Sequence, residues 1–207
     1  MAKYTFDARK IALMTSKDKI KVRLAIFASG SGTNAEAIMK KFENHSKIEV
    51  GLIVTNNPNA GVIDRSERFG VPCAVFSNED FSDTSKLNAL LRDEGVDWIV
   101  LAGWLRLIPA SLIEEYPNRI VNIHPALLPK FGGQGMYGKH VHKAVKAANE
   151  SESGISIHYV NEKFDEGEII AQFSTALKPE DSPEDIEHKV RELELKHYAS
   201  AIEKLVL

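Results

Sequence analysis

Cysteine is nearly absent. Cys73 is the only one among 207 residues, which excludes an internal disulfide and the cysteine-rich secreted scaffolds and points to a reducing compartment, the cytoplasm. Long apolar runs are missing too: nothing approaches the ~18 consecutive apolar residues of a membrane span. Near the N-terminus the one apolar run, Ile11 to Met14, is shorter than the roughly seven residues of a signal-peptide core. No charge of one sign dominates, because 26 Lys and Arg stand against 29 Asp and Glu for a net −3. Such a chain offers no basic footprint for nucleic acid. Repeats and low-complexity tracts are also lacking. What is present, 43% hydrophobic and 27% charged residues, is the composition of an ordinary globular protein. The length predicts one domain with an appendage: an N-terminal extension over residues 1–21 and a single domain over 22–207.

From Val22 onward, short apolar runs alternate with amphipathic segments, the pattern of βαβ units that build a parallel sheet. Strands are expected at Val22–Ala28, Val50–Thr55, Cys73–Phe76, Trp98–Ala102 and Arg119–Ile123, whose Val, Ile and Leu content suits strands covered on both faces. Crossover helices are expected at Ala35–Phe42, Val62–Phe69, Thr84–Glu94 and Pro109–Glu115. His124 to Gly138 then carries two prolines and four glycines, a composition for a long loop, and loops of that length are often functional. A helix near His140–Glu150 follows, then two strands, Ile155–Val160 and Glu168–Ala176, read as an antiparallel pair on the far edge of the sheet. The last helix opens at Ser182, which can cap it, with Pro183 suited to the first position and Glu184 and Asp185 meeting the positive helix end. The fold class is therefore α/β: a Rossmann-like, mostly parallel sheet with helices on both faces and an antiparallel C-terminal strand pair.

Four groups of residues could carry chemistry. Gly30-Ser31-Gly32-Thr33-Asn34-Ala35 follows the first strand and opens the first helix, where glycines let an anion approach backbone N–H groups. Its letters also fit the dinucleotide fingerprint, but the acidic ribose partner expected after the second strand is replaced by Thr55-Asn56-Asn57. That favours a simpler phosphate ligand, and no Walker lysine follows. A tight βα turn with no ligand would read the same way. Asn122-Ile123-His124-Pro125 closes the last parallel strand. Side chains two apart point to one side, so Asn122 and His124 can converge where ligands of open α/β sheets bind. An amide beside an imidazole can stabilise an oxyanion and move a proton; a hydrogen-bonded histidine at a strand end is the plainer alternative.

Asp165 lies in a turn before Gly167 and is either solvated or folded back on His124, where its charge raises the imidazole's pKa and fixes its orientation. Glu194 interrupts the apolar line Val190, Glu194, Tyr198 of the last helix and needs a partner, either ligand hydroxyls or a neighbour such as Lys189 or Arg191. His140-Val141-His142 does not suggest a metal, because helix positions two apart point in different directions and no Cys or H-E-x-x-H partner accompanies them.

At these residues the chain from Val22 to Leu207 resembles the phosphoribosylglycinamide formyltransferase family, folate-dependent enzymes of purine synthesis. The resemblance rests on Gly30-Ser31-Gly32-Thr33-Asn34, Leu101-Ala102-Gly103-Trp104-Leu105-Arg106, Asn122-Ile123-His124-Pro125-Ala126-Leu127-Leu128-Pro129, Gly154-Ile155-Ser156-Ile157-His158 and Asp165. It implies transfer of the formyl group of 10-formyltetrahydrofolate, a co-substrate, to the amine of 5-phosphoribosylglycinamide, with no metal. It further implies that Asn122, His124 and Asp165 are catalytic. Gly32, Thr33 and Asn34, with Arg191, Glu192, Leu193 and Glu194, would bind the ribonucleotide. Leu105, Arg106, Leu107 and Ile108, with Asn122, Asn161, Glu162, Lys163, Phe164 and Asp165, would bind folate. The loop Lys130 to Lys139 departs from the family pattern and takes no ligand contact from it, and the basic folate contact that relatives carry before Thr84 has no counterpart here. Small-molecule substrates are the expected partners, without nucleic acid or membrane, and a homodimer is compatible with the resemblance.

Three other readings share some of these residues. Methionyl-tRNA formyltransferases share the Asn-x-His-Pro element but resemble a longer protein with a C-terminal barrel. A 10-formyltetrahydrofolate hydrolase would use the same trio with water as nucleophile, and usually has an N-terminal regulatory domain. A nicotinamide-binding Rossmann protein would keep the glycine turn and need neither Asn122 with His124 nor Asp165.

Overall fold

The computed structural model describes residues 21–77, 79–81 and 83–207. The expected N-terminal extension therefore lies, apart from Lys21, outside the described residues. Five parallel strands come first, β1 (Val22–Phe27), β2 (Ile48–Thr55), β3 (Cys73–Val75), β4 (Trp98–Leu101) and β5 (Ile120–His124), separated by α1 (Thr33–Phe42), α2 (Val62–Arg68), α3 (Ser85–Asp93) and α4 (Ala110–Glu115). After α5 (Lys139–Ala147) come β6 (Glu152–Tyr159), β7 (Ile169–Ala176) and the long α6 (Pro183–Val206). The strands form one sheet in the order β3-β2-β1-β4-β5-β6-β7. β6 runs antiparallel to β5, and β7 antiparallel to β6, as the change of rhythm after Ile123 suggests.

Alternation along the strands divides the core in two. On β1, Leu24 and Ile26 face one cluster with Ile38 and Met39 of α1, Val141 and Val145 of α5, and Val190, Tyr198 and Ile202 of α6. Ala25 and Phe27 face the other, with Leu87 and Leu91 of α3 and Leu112 and Tyr116 of the α4 region. This is the period of two that a sheet buried on both faces imposes. At roughly 1.5–3 kcal/mol per fully buried aliphatic side chain, these two layers fix the sheet between its helices. Helix α6 begins as the sequence indicates: Ser182 Oγ accepts from the Asp185 backbone N–H at 3.1 Å while the Asp185 carboxylate accepts from the Ser182 N–H at 2.9 Å, a capping box followed by Pro183.

Two features of the order position a site. Strand order reverses between β1 and β4, the switch point where open α/β sheets leave a crevice at their carboxyl ends. The chain from Pro125 to Gly138 forms neither helix nor strand and passes over that end. It is anchored beneath by Ser156, whose Oγ accepts from the Leu128 N–H at 2.9 Å and donates to the Ala126 carbonyl at 2.7 Å. Gln172 of β7 adds a bond to the Leu128 carbonyl at 2.9 Å.

Candidate active site

The turn after β1 is held by its neighbours. Ser29 N–H donates to the Gly103 carbonyl at 3.1 Å and Val62 N–H to the Gly30 carbonyl at 3.2 Å, while the Arg65 guanidinium holds the Ser31 carbonyl. Gly32 has φ +75° at the start of α1. An added Cβ there would lie 2.7 Å from Val62 Cβ and 2.8 Å from Val62 Cα, so both conformation and space demand glycine. The next residue but one, Asn34, is buried and donates from Nδ2 to Glu194 Oε2 at 3.0 Å. The partner that Glu194 needs is thus Asn34, across the cavity, while Lys189 is bound to Asp181. Burial pushes the Glu194 carboxyl above its ordinary range, with Asn34 and then Arg191 opposing and Glu187 adding to the rise.

At the carboxyl end of β5 the structure brings Asn122, His124 and Asp165 together and adds His158. The antiparallel register sets Asn122 opposite His158, with Asn122 Nδ2 3.1 Å from His158 Nε2. His158 Nδ1 lies 2.8 Å from the Tyr159 carbonyl. A carbonyl only accepts, so Nδ1 carries the proton and Nε2 receives the Asn122 amide. His124 Nε2 lies 2.8 Å from the Phe131 carbonyl and donates to it. Asp165 reaches over both rings: Oδ2 is 3.4 Å from His124 Nδ1 and Oδ1 is 3.6 Å from His158 Nε2, while the Gly133 N–H donates to Oδ2 at 3.0 Å. Asp165 has φ +56°, a conformation that costs a non-glycine residue energy and clusters at functional sites. Its loop closes onto β6 because Gly167 has no Cβ to meet the Tyr159 carbonyl.

The electrostatics correct one expectation. The net pKa of His124 is lowered, not raised: burial against the sheet outweighs the raising effects of Asp165 and of the Phe131 carbonyl, and His158 reinforces the fall. The Asp165 carboxyl is itself held below its ordinary value. Burial alone would raise it, but the adjoining His158 ring, the His124 ring and the Gly133 N–H together prevail. An ionised carboxylate therefore sits between the two imidazole rings near pH 7, with that of His124 neutral.

These groups share one cavity of about 460 Å³, within the range of small-molecule sites. Leu105, Arg106, Leu107 and Ile108 after β4 line it, as do Asn161, Lys163, Phe164 and Asp165, and Gly32, Thr33, Asn34, Arg191 and Glu194 on the other side. Leu105, Leu107, Tyr137 and Phe164 remain 37–53% exposed at its edge, an apolar rim that suits a ligand's ring system. Glu162, Glu192 and Leu193 are not among the lining residues. Glu162 and Glu192 point to solvent, and Leu193 packs on the core, because positions 191 and 194 share a helix face that 192 and 193 do not. The loop residues Gly133, Gln134, Gly135, Met136, Tyr137 and Gly138 do line the cavity, as do His142, His158 and Glu187. The glycine content of the loop was the only local signal for the former. Beyond β2, Asn57 donates toward the Ser29 carbonyl, so an amide occupies the place of a nicotinamide protein's ribose carboxylate. Among the described residues no cluster of His, Cys, Asp and Glu is arranged to hold a metal, and no helix is long and apolar enough to cross a membrane.

The fold and this site define an α/β ligand-binding protein whose chemistry lies at the switch point of a mostly parallel sheet. Residues 22–202 match the formyl transferase family, and the chain belongs to that family of formyltransferases. Phosphoribosylglycinamide formyltransferase of Bacillus subtilis is 38% identical over 189 residues, which cover 89% of this chain and 94% of that protein. The chloroplastic phosphoribosylglycinamide formyltransferase of Arabidopsis thaliana is 40% identical over 194 residues, covering 91% of this chain, which spans 66% of the relative's length. Among solved structures, glycinamide ribonucleotide transformylase 1 from Geobacillus kaustophilus shares the fold at a TM-score of 0.81 and 38% identity, over 89% of this chain and 98% of that one.

Proposed function

We propose that the chain transfers the formyl group of 10-formyltetrahydrofolate to the amine of 5-phosphoribosylglycinamide, giving phosphoribosyl-N-formylglycinamide and tetrahydrofolate. The observation that carries this reading is the ionised Asp165 set between His124 and His158 in the same cavity as the glycine turn at Gly32. In this reading the backbone N–H groups at Gly32, Thr33 and Asn34 take the phosphate and Glu194 the ribose side. The apolar rim from Leu105 to Ile108, with Phe164, takes the folate ring.

Attack of the amine on the formyl carbon builds negative charge on the formyl oxygen. Asn122, through the amide N–H that His158 does not take, and His124, turning its N–H from the Phe131 carbonyl, are its donors. Burial keeps His124 neutral, so it serves as an N–H donor with no full positive charge to desolvate. Asp165 accepts the proton that the attacking nitrogen loses and, directly or through water, passes it to N10 as tetrahydrofolate leaves. Hydrolysis of the same donor would leave the glycine turn and the Asn34–Glu194 pair without a ligand.

The test is turnover of 10-formyltetrahydrofolate by the purified chain with and without the ribonucleotide, following both tetrahydrofolate and free formate. Tetrahydrofolate released only in the presence of ribonucleotide, without formate, is the expected outcome. Formate release independent of ribonucleotide would make the chain a hydrolase and contradict the reading.

A further inference from the structure

The glycine turn that faces the cavity is shaped from behind by α2. Gly61, at the start of that helix, packs so closely that an added Cβ would lie 3.3 Å from the Ser31 carbonyl oxygen, and the Val62 N–H holds the Gly30 carbonyl at 3.2 Å. Arg65, in the same helix, donates from Nε to the Ser31 carbonyl at 2.7 Å. Residues 30–34 line the cavity, whereas among the described residues α2 contributes nothing to its wall. The carbonyls of the turn are thus drawn to one side, and the ligand space lies on the other.

Backbone geometry turns this anchoring into a constraint on donors. The C=O and N–H of a planar trans peptide point in opposite directions, and the Ser31 carbonyl shares its peptide with the Gly32 N–H. Holding the first toward α2 aims the second toward the cavity. Helix α1 makes its first backbone bond from the Glu36 N–H to the Gly32 carbonyl at 2.9 Å, so the N–H groups of Gly32, Thr33, Asn34 and Ala35 are the four that a helix start leaves without a backbone acceptor. Gly32 stands before helical geometry sets in, at φ +75°, and the direction of its N–H depends on the peptide that Arg65 holds.

We propose that Arg65 is a positioning residue for the substrate's phosphate: from behind the turn, without touching the ligand, it fixes the Ser31–Gly32 peptide so that the Gly32 N–H joins those of Thr33 and Asn34 on the anion, and it thereby selects the phosphate-bearing substrate over its phosphate-free ribonucleoside. This rests on the function proposed above, in which the turn takes the phosphate. A hydrogen bond to a charged group is worth about tenfold or more in affinity, so one misdirected N–H is measurable. A ligand without the phosphate has nothing to lose by it.

The side chain suits this task. While Nε holds the Ser31 carbonyl, Nη1 pairs with the Glu36 carboxylate of α1, so one planar fork ties the turn to the first helix on either side of Gly32. A lysine has a single nitrogen and no fork; drawn to the Glu36 carboxylate, it would leave the carbonyl. Arg68 provides an internal comparison, because its Nη2 pairs with the same Glu36 at 3.1 Å but has no bond to the turn. Removing Arg68 takes away an equal charge from the same helix and leaves the Ser31 peptide held.

The experiment measures kcat and KM for 5-phosphoribosylglycinamide and for the ribonucleoside lacking its phosphate, in wild type, Arg65→Gln, Arg65→Lys and Arg68→Gln, with folate-analogue binding as the check that each variant is folded. Arg65→Gln should raise KM for the ribonucleotide by about five- to tenfold and change kcat by less than about twofold, and its preference for ribonucleotide over ribonucleoside should fall by the same factor. Arg65→Lys should lose the preference as Arg65→Gln does, and it decides the matter if Arg65→Gln fails the folding check. Arg68→Gln should keep the wild-type preference. An unchanged preference in the Arg65 variants, or an equal fall in Arg68→Gln, overturns the proposal, the second outcome by showing that charge alone acts. Formyl transfer by the wild-type chain with no preference for the ribonucleotide instead overturns the phosphate role of the turn, and absence of transfer overturns the proposed function, each taking this inference with it.

Discussion

Asn122 and His124 enter the site through a simple alternation, two residues apart on β5, and their partners explain what each can contribute. The Asn122 amide is held on His158 Nε2 at 3.1 Å, so it is oriented before any ligand arrives, and preorganised donors aimed at a developing oxyanion are worth about 10²-fold or more each. Asn122→Ala should therefore lower kcat by about 10²-fold while changing KM for either substrate much less, measured at saturating concentrations of both. A near-unchanged kcat would remove Asn122 from the chemistry. His158 shows where single-sequence reasoning stops. It stands among the letters that carry the family resemblance, but its place opposite Asn122 depends on the β5–β6 register, which no local pattern encodes. The direction of the His124 shift was hidden for a related reason. A carboxylate neighbour can be guessed from a motif, whereas burial is a property of the assembled sheet.

The elements were largely legible. Glycine at a βα turn, β-branched runs between amphipathic segments and the Ser182-Pro183 opening of α6 each have a local physical cause, and the observed strands begin and end within about two residues of expectation for the five parallel ones. The glycine-rich loop after β5 was legible as a loop but not as part of the site, because what its residues face depends on Ser156, Gln172 and Asp165 from other segments. The turn at Gly32 offers the cleanest test at this scale. An alanine there must adopt φ +75° against Val62, and the left-handed conformation alone costs roughly 1–2 kcal/mol. Gly32→Ala should raise KM for the ribonucleotide about tenfold or more and spare folate-analogue binding, since Leu105 to Ile108 stand on a different turn. Equal losses on both ligands would mean that the turn serves the fold and not the phosphate.

The whole molecule carries the cost of its site as a pH dependence. His124 and His142 both have pKa values lowered by burial, so as pH falls through about 6.5 the unfolded chain takes up protons that the folded chain refuses, and stability falls. Asp165, whose pKa is depressed, adds stability that persists above about 3.8 and is lost only below it. Glu194 runs the other way, its raised pKa favouring the folded state in acid and losing that contribution as pH rises through its folded value. With two histidines set against one glutamate, thermal unfolding should be nearly flat above about pH 7 and move to lower temperature between about pH 6.5 and 5. Stability that rises on acidification through that window would show that these imidazoles are not buried as described.

The central claim, that one site joins a formyl carbon to the ribonucleotide's own amine, is tested most directly by isotopic labelling of both atoms: a carbon-labelled formyl donor and a nitrogen-labelled glycinamide ribonucleotide, with the product examined by nuclear magnetic resonance. A one-bond coupling between labelled carbon and labelled nitrogen is the result predicted. Label recovered as free formate, or left on the folate, would contradict it.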